Sequence, residues 1–298
     1  MEIAERHIQY LTNEGNPKKD TTHWRDIGDL RDVRPLIDMI KLTILTAYIK
    51  NVPKPNSLIL IAKPESAKTE VMKRFPVTKG IAYLSDVTAF GIQRDLYSKM
   101  ESGEVRHIMI PDLLRPLSRK ESTVASLITS LNQLVEEGIF AVSTYATPGL
   151  VSYKNPVKVG IITAITSDEF FDNRHKWKKK GFLSRIVPFS FSYGMRTIKR
   201  VFESILGLEY VEGKTINLNI PKKDVEVKLP RKYASSILPS TCTIAKAQGV
   251  YGFRLQKQFQ ALLQASALDR NRRTVNASDV DRVLHLMNWV NFDEKPIA

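Results

Sequence analysis

Lys68 and Thr69 stand where a phosphate and its metal could be held. They close the segment Ala62-Lys63-Pro64-Glu65-Ser66-Ala67-Lys68-Thr69-Glu70, between the apolar run Ser57 to Ala62 and a helical pattern beginning at Val71. A phosphate-binding loop needs small residues, here Ser66 and Ala67, so that backbone N–H groups can wrap the anion. It then needs a lysine to reach the outer phosphate oxygens and a hydroxyl for Mg²⁺. A helix that opens at the loop adds its dipole. Ala62 and Ala67 stand where such loops carry glycine, and Glu65 adds a negative charge. The plainer reading is a strand-turn-helix corner with an exposed lysine.

Downstream, His107-Ile108-Met109-Ile110-Pro111-Asp112 is an apolar strand ending on an acid. Asp112 either joins a magnesium shell beside a nucleotide or serves as a helix N-cap or turn residue. The next residue is Leu113, which cannot polarise water. Hydrolysis is therefore expected to be slow, and a glutamate at 113 is expected to raise it. A third strand, Lys158 to Thr166, ends in the polar Thr163 and Thr166. It is followed by Gly181-Phe182-Leu183-Ser184-Arg185-Ile186-Val187-Pro188 and, much later, by Gly252-Phe253-Arg254 at a helix start.

The most concentrated charge is Arg174-His175-Lys176-Trp177-Lys178-Lys179-Lys180. Trp177 could stack a base while Arg174, Lys176, Lys178, Lys179 and Lys180 follow phosphates. A subunit interface and a solvated loop are the alternatives. The net charge of +14 over 298 residues also draws polyanions, nucleic acid first among them.

The elements that must position these residues follow from apolar spacing. Short apolar runs at Ser57–Ala62, Gly80–Leu84, Ile108–Ile110 and Val159–Ile165 read as strands buried on both faces. Helical patterns lie between them, most clearly Thr123 to Glu137, and another, Pro35 to Lys50, precedes them. Alternating strands and helices predict an α/β domain with a parallel sheet. The predicted organisation is an N-terminal arm over 1–34, a nucleotide-binding core over 35–196 and a mostly helical lid over 197–298. A small hairpin or extended insert is expected near 212–230, and an N-capped helix from Val280 to Trp289. A lone Cys242 leaves no internal disulfide, and five scattered histidines lack metal-ligand spacing. No apolar run is long enough to span a bilayer, and the first residues lack the apolar core of a signal peptide, so a cytoplasmic protein without structural metal is expected.

In order and spacing, Lys68-Thr69, Asp112, Thr166, Arg185 and Arg254 resemble the Walker A, Walker B, sensor 1, arginine-finger and sensor 2 positions of AAA+ ATPases. The resemblance covers roughly residues 35 to 290. It is strongest to the clade of minichromosome-maintenance helicases and MoxR-like chaperones, on Ala67 before the lysine, Phe182-Leu183-Ser184-Arg185-Ile186, and Leu131 to Gly138 before a hairpin. It implies ATP and Mg²⁺ as cofactors, nucleotide lodged between core and lid, and self-association into a ring or partial ring, hexameric in many relatives. Arg185 would act on a neighbour's nucleotide, an intrachain salt bridge being its alternative role. The implied function is a motor or switch on DNA: a helicase, a helicase loader or another DNA-handling role. A nucleotide-stabilised scaffold and a MoxR-like remodeller acting on a protein partner are the rivals. In related helicases the hairpin at Tyr145 to Gly149 would project toward a pore, but it carries no lysine at its tip.

Overall fold

The computed structural model describes residues 30–76, 80–144, 147–207, 215–293 and 295–297, with the backbone alone for 142–155. The first helix, α1 (Arg34–Leu45), carries Pro35 in its first turn, where the fixed φ of proline is tolerated. A 3-10 turn, Thr46–Tyr48, ends it. Then come β1 (Leu58–Ala62), α2 (Lys68–Lys73), β2 (Gly80–Tyr83), α3 (Ala89–Asp95), α4 (Tyr97–Glu101), β3 (Val105–Ile110), α5 (Leu114–Leu117) and α6 (Glu121–Val135). A hairpin of β4 (Ile139–Thr144) and β5 (Thr147–Val157) leads into β6 (Gly160–Thr166), α7 (Ser167–Lys179), β7 (Val187–Ser192) and α8 (Met195–Leu206). Four helices follow: α9 (Arg231–Ser236), α10 (Leu238–Gln248), α11 (Phe253–Asp269) and α12 (Ala277–Met287), and a short β8 (Lys295–Pro296) closes the chain.

Six strands form one parallel sheet in the order β2-β3-β6-β1-β7-β8. This is the α/β architecture expected from the sequence, and it is compatible with a P-loop domain. β1 lies in the middle, with Leu58 beside Ile162 of β6 and Val187 of β7. Every residue of β1 is buried, as two covered faces require. Alternate side chains sort to opposite faces. Leu58 and Leu60 join α1, α11 and α12 in one apolar cluster, while Ile59 and Ile61 join α4, α6 and α7 in another.

The helices beyond residue 197 thus share a core with the sheet: Leu255, Phe259 and Val283 lie in the same cluster as Leu58 and Leu60. The expected cap of the last helix is present, as a reciprocal Asn276–Asp279 box. Residues 215–230 lie against the body through bridges from Val225 to Ile49 and from Lys228 to Thr274, with Ile216, Val225 and Val227 buried in its core. They form no named strand among the described residues. Of the predicted N-terminal arm, residues 1–29 lie outside the described residues. Its last part is anchored on α8, where Asp32 accepts hydrogen bonds from Thr197 and Arg200 and Arg31 donates to Ser204. The hairpin tip residues 145 and 146 also lie outside them. No helix among the described residues is long and apolar enough to cross a membrane.

Candidate functional site

The loop from Ala62 to Lys68 leaves β1 and turns directly into α2, so its path is set by the buried strand behind it. Two of its residues, Glu65 (φ 62°) and Ala67 (φ 58°), adopt left-handed backbone that L residues with a Cβ rarely occupy. These are positions where phosphate loops favour glycine. The loop therefore keeps a glycine-type conformation without glycine, at a cost of about 1–2 kcal/mol per residue. Strain of this kind gathers at ligand sites.

Lys68 is only 8% exposed. Its ammonium donates to the carbonyls of Ala62 (2.6 Å) and Lys63 (2.7 Å) and to the Ser66 hydroxyl (2.8 Å). The lysine thus lies along the inside of the loop, not out in solvent as a bare corner would have it. The Thr69 hydroxyl donates to the carbonyl of Pro111 at 3.4 Å, tying the helix start to the end of β3. Tyr193, just past β7, donates to the Ser66 carbonyl at 2.9 Å. Burial pushes the Tyr193 phenol up to about 12, so it stays a donor. Sequence reasoning missed Tyr193, since nothing in its spacing marks it.

Lys68, Thr69, Asp112 and Thr166, with Ser66 and Ala67, line one cavity of about 350 Å³ at the carboxyl ends of β1, β3 and β6. Residues far apart in sequence are brought together as their order implied. The donor set suits a magnesium-bound triphosphate: an ammonium, left-handed loop amides, a hydroxyl and a carboxylate around one space. Asp112 also fulfils its plainer role, because its carboxylate accepts from the Leu114 amide at 2.9 Å and holds the turn into α5. One carboxylate oxygen suffices for that turn. Among the described residues, no group of three or more acids, histidines and cysteines could hold a metal alone. A metal here would need oxygens from its ligand.

Three expectations are corrected. Leu113 is fully buried, in the apolar cluster with Ile108 and Ile110. Position 113 points into the core, so a glutamate there would not reach the cavity. Arg254 does not join Lys68. It lies at the amino end of the sheet, with its guanidinium 3.3 Å from Glu136 and 3.4 Å from the Ser184 hydroxyl. A five-residue strand rising ~3.3 Å per residue sets the two ends roughly 16 Å apart. Finally, among the described residues the cavity is lined by residues 64 to 166 and by none of the C-terminal helices.

Arg185 lies at the same amino end as Arg254. The adjoining Val187 amide donates to Ser57, which precedes β1. Its guanidinium donates to the Gly181 carbonyl at 2.7 Å and stands 3.9 Å from Glu137. Gly181 itself is left-handed (φ 70°), a backbone that suits glycine, and the guanidinium folds back over it. Gln258 of α11 donates to the Arg185 carbonyl at 3.0 Å. Beside it, Glu136 accepts from both Lys54 and Arg254. Burial opposes its ionisation, but the two cations more than offset that and hold its carboxyl below the usual glutamate range. The intrachain ion pair weighed for Arg185 is thus present in a loose form.

The basic run falls on the second half of α7 and the turn after it, not on a loop. Trp177 is 2% exposed and packs edge-on against Phe170 and Phe182. Its assignment as a base-stacking residue is corrected: the ring belongs to the core. Arg174 lies over the Phe292 ring at 4.5 Å, and Lys176 stands 4.0 Å from Glu121. Lys178, Lys179 and Lys180 remain exposed.

No family model matches the chain, and no curated protein matches it.

Proposed function

We propose that this chain is an AAA+ type nucleotide-binding protein that takes ATP with Mg²⁺ at the Lys68 cavity. It associates with further copies as a ring or partial ring and acts on nucleic acid as a slow motor or switch. One observation carries the reading: Lys68, Thr69, Asp112 and Thr166 converge on a single cavity whose loop holds Glu65 and Ala67 in left-handed backbone. The place of the cavity adds support. Ligands of open parallel sheets gather at carboxyl ends where neighbouring strands send their connections opposite ways. β1 leads toward β2 on one side, and β6 leads to β7 on the other.

A bound nucleotide supplies the phosphate charge around which the site is organised. The Lys68 ammonium, now on the carbonyls of Ala62 and Lys63, would gain charge-assisted contacts with phosphate oxygens in place of neutral ones. Thr69 and Asp112, which both line the cavity, would hold the metal that the nucleotide brings. Arg185 and Arg254, roughly a strand's length away, cannot reach the same nucleotide. A positive pair at that end suits a nucleotide held by a neighbouring copy. The buried Leu113 leaves the position after Asp112 without a carboxylate to activate water and favours a second reading, a scaffold that nucleotide stabilises but that turns over little.

Calorimetric titration of the intact protein with ATP and Mg²⁺ tests the nucleotide site. Binding is expected in wild type, and Lys68→Ala should weaken it ~100-fold or more, since the ammonium that lies along the inside of the loop is lost. Absence of binding by wild type at millimolar ATP would overturn the proposal.

A further inference from the structure

The burial of Trp177 removes the aromatic component from the basic run on α7, yet the fold supplies another one beside it. Tyr251 and Phe253 stand at the junction of α10 and α11 and present their rings to solvent, 91% and 74% exposed. The rings stack on each other with centroids 5.8 Å apart and planes 8° from parallel. The loop that carries them is clamped. Gly252 is left-handed (φ 84°), and a Cβ there would stand 2.7 Å from the Ala245 methyl, so the loop lies tight against α10. Two large rings held outward in this way contribute nothing to the core.

Cations lie on the loop's side of the fold, and Lys257 lines one cavity with the two rings. The Lys178 ammonium reaches across to the loop, 3.2 Å from where a Cβ of Gly249 would lie. Lys257, one helical turn past Phe253, and Lys246, in the last turn of α10, are exposed. Lys179 and Lys180 continue the basic surface. The adjoining cavity, about 850 Å³, has one acid in its lining, Glu136. That carboxylate is already engaged by Lys54 and Arg254. Exposed π-faces among lysines that pair with no acid among the described residues suit a strand whose bases are free to stack, and they suit a duplex poorly because its bases are already stacked.

We propose that Tyr251 and Phe253, with Lys178, Lys246 and Lys257, form a binding platform for single-stranded nucleic acid. Bases stack on the rings and phosphates lie along the lysines. Recognition is indifferent to sequence, because the platform has no built arrangement for reading base edges. The inference rests on the nucleic-acid half of the reading above and not on its nucleotide half.

Fluorescence anisotropy with a labelled oligothymidylate and a duplex of equal length, without nucleotide, tests it. Wild type should prefer the single strand. Removing both rings (Tyr251→Ala with Phe253→Ala) should weaken single-strand binding by about tenfold or more and leave duplex binding nearly unchanged. Tyr251→Trp should retain binding, with indole fluorescence quenched as the strand binds. Lys178→Gln with Lys257→Gln should reduce the log–log salt slope by ~0.7 per lysine. Unchanged single-strand affinity in the double-ring variant, with wild type binding normally, overturns the platform alone. No binding by wild type at low salt overturns the nucleic-acid reading as well. If the double-ring variant loses binding only in step with self-association measured by light scattering, the rings are a contact between copies and the platform is wrong.

Discussion

The guanidinium of Arg254 lies 3.4 Å from the hydroxyl of Ser184, the residue before Arg185. Two arginines about seventy residues apart in sequence therefore lie together at the amino end of the sheet, while Lys68 and Thr69 stand at its carboxyl end. This polarity divides the functional residues into two groups that one molecule cannot bring to one ligand. If both groups serve nucleotide, the second must serve a copy alongside.

That arrangement predicts nucleotide-dependent association. Light scattering of wild type should report a mass above the monomer when ATP and Mg²⁺ are added. Arg185→Ala should bind nucleotide as wild type does, because its side chain lies at the far end from Lys68, yet assemble less. A monomer under all conditions at high protein concentration would remove any role for Arg185 in trans.

Leu113→Glu is expected to harm the fold, not to restore hydrolysis. Leu113 is 0% exposed among apolar neighbours, so the new carboxylate is buried without a partner. The cost is about 3 kcal/mol or more. Urea unfolding gives the stability and a phosphate-release assay gives the turnover. A stable variant with raised turnover would show that position 113 can face the cavity.

Trp177→Ala separates a core role from a nucleic-acid role. Loss of an indole packed between Phe170 and Phe182 should cost ~3–5 kcal/mol. A folded fraction of the variant should bind single strands as wild type does. Undiminished stability with selectively weaker binding to single strands would return the ring to the surface role.

His107 makes stability depend on acidity. It is wholly buried on β3, its Nε2 lies 3.2 Å from the Asn56 carbonyl, and burial lowers its pKa from 6.5 to about 4. The unfolded chain therefore binds a proton that the folded chain refuses between those values. Stability from this residue is complete above about 6.5 and is lost as pH falls toward 4, by about 3 kcal/mol in all. Urea midpoints at pH 7 and pH 5 should differ in that direction, and His107→Met should flatten the difference. Equal pH dependence in wild type and variant would show that other groups set it.

The sequence by itself determined the sheet and the loop. Continuous apolar runs such as Leu58 to Ala62 can be satisfied only as strands covered on both faces, and local spacing fixes that. The pairing of Lys68-Thr69 with Asp112 and Thr166 was legible because residues at the carboxyl ends of neighbouring parallel strands must share one edge. The capping box at Asn276 and Asp279 was legible because its hydrogen bonds span only three residues. What only the tertiary structure decided is which way side chains face and which distant segments meet. Trp177 stands in a run of cations, and its burial depends on Phe170 and Phe182 closing around it, which no helical period marks as different from exposure. Leu113 follows an acid at a strand end, and its direction is set by the turn that Asp112 caps. Arg254 begins a helix whose register was readable, but its place at the far end of the sheet depends on α11 packing against α1. Tyr251 and Phe253 come beside Lys178 for the same reason: α7 and the α10–α11 turn adjoin through long-range packing, and local sequence carries no record of a neighbour seventy residues away.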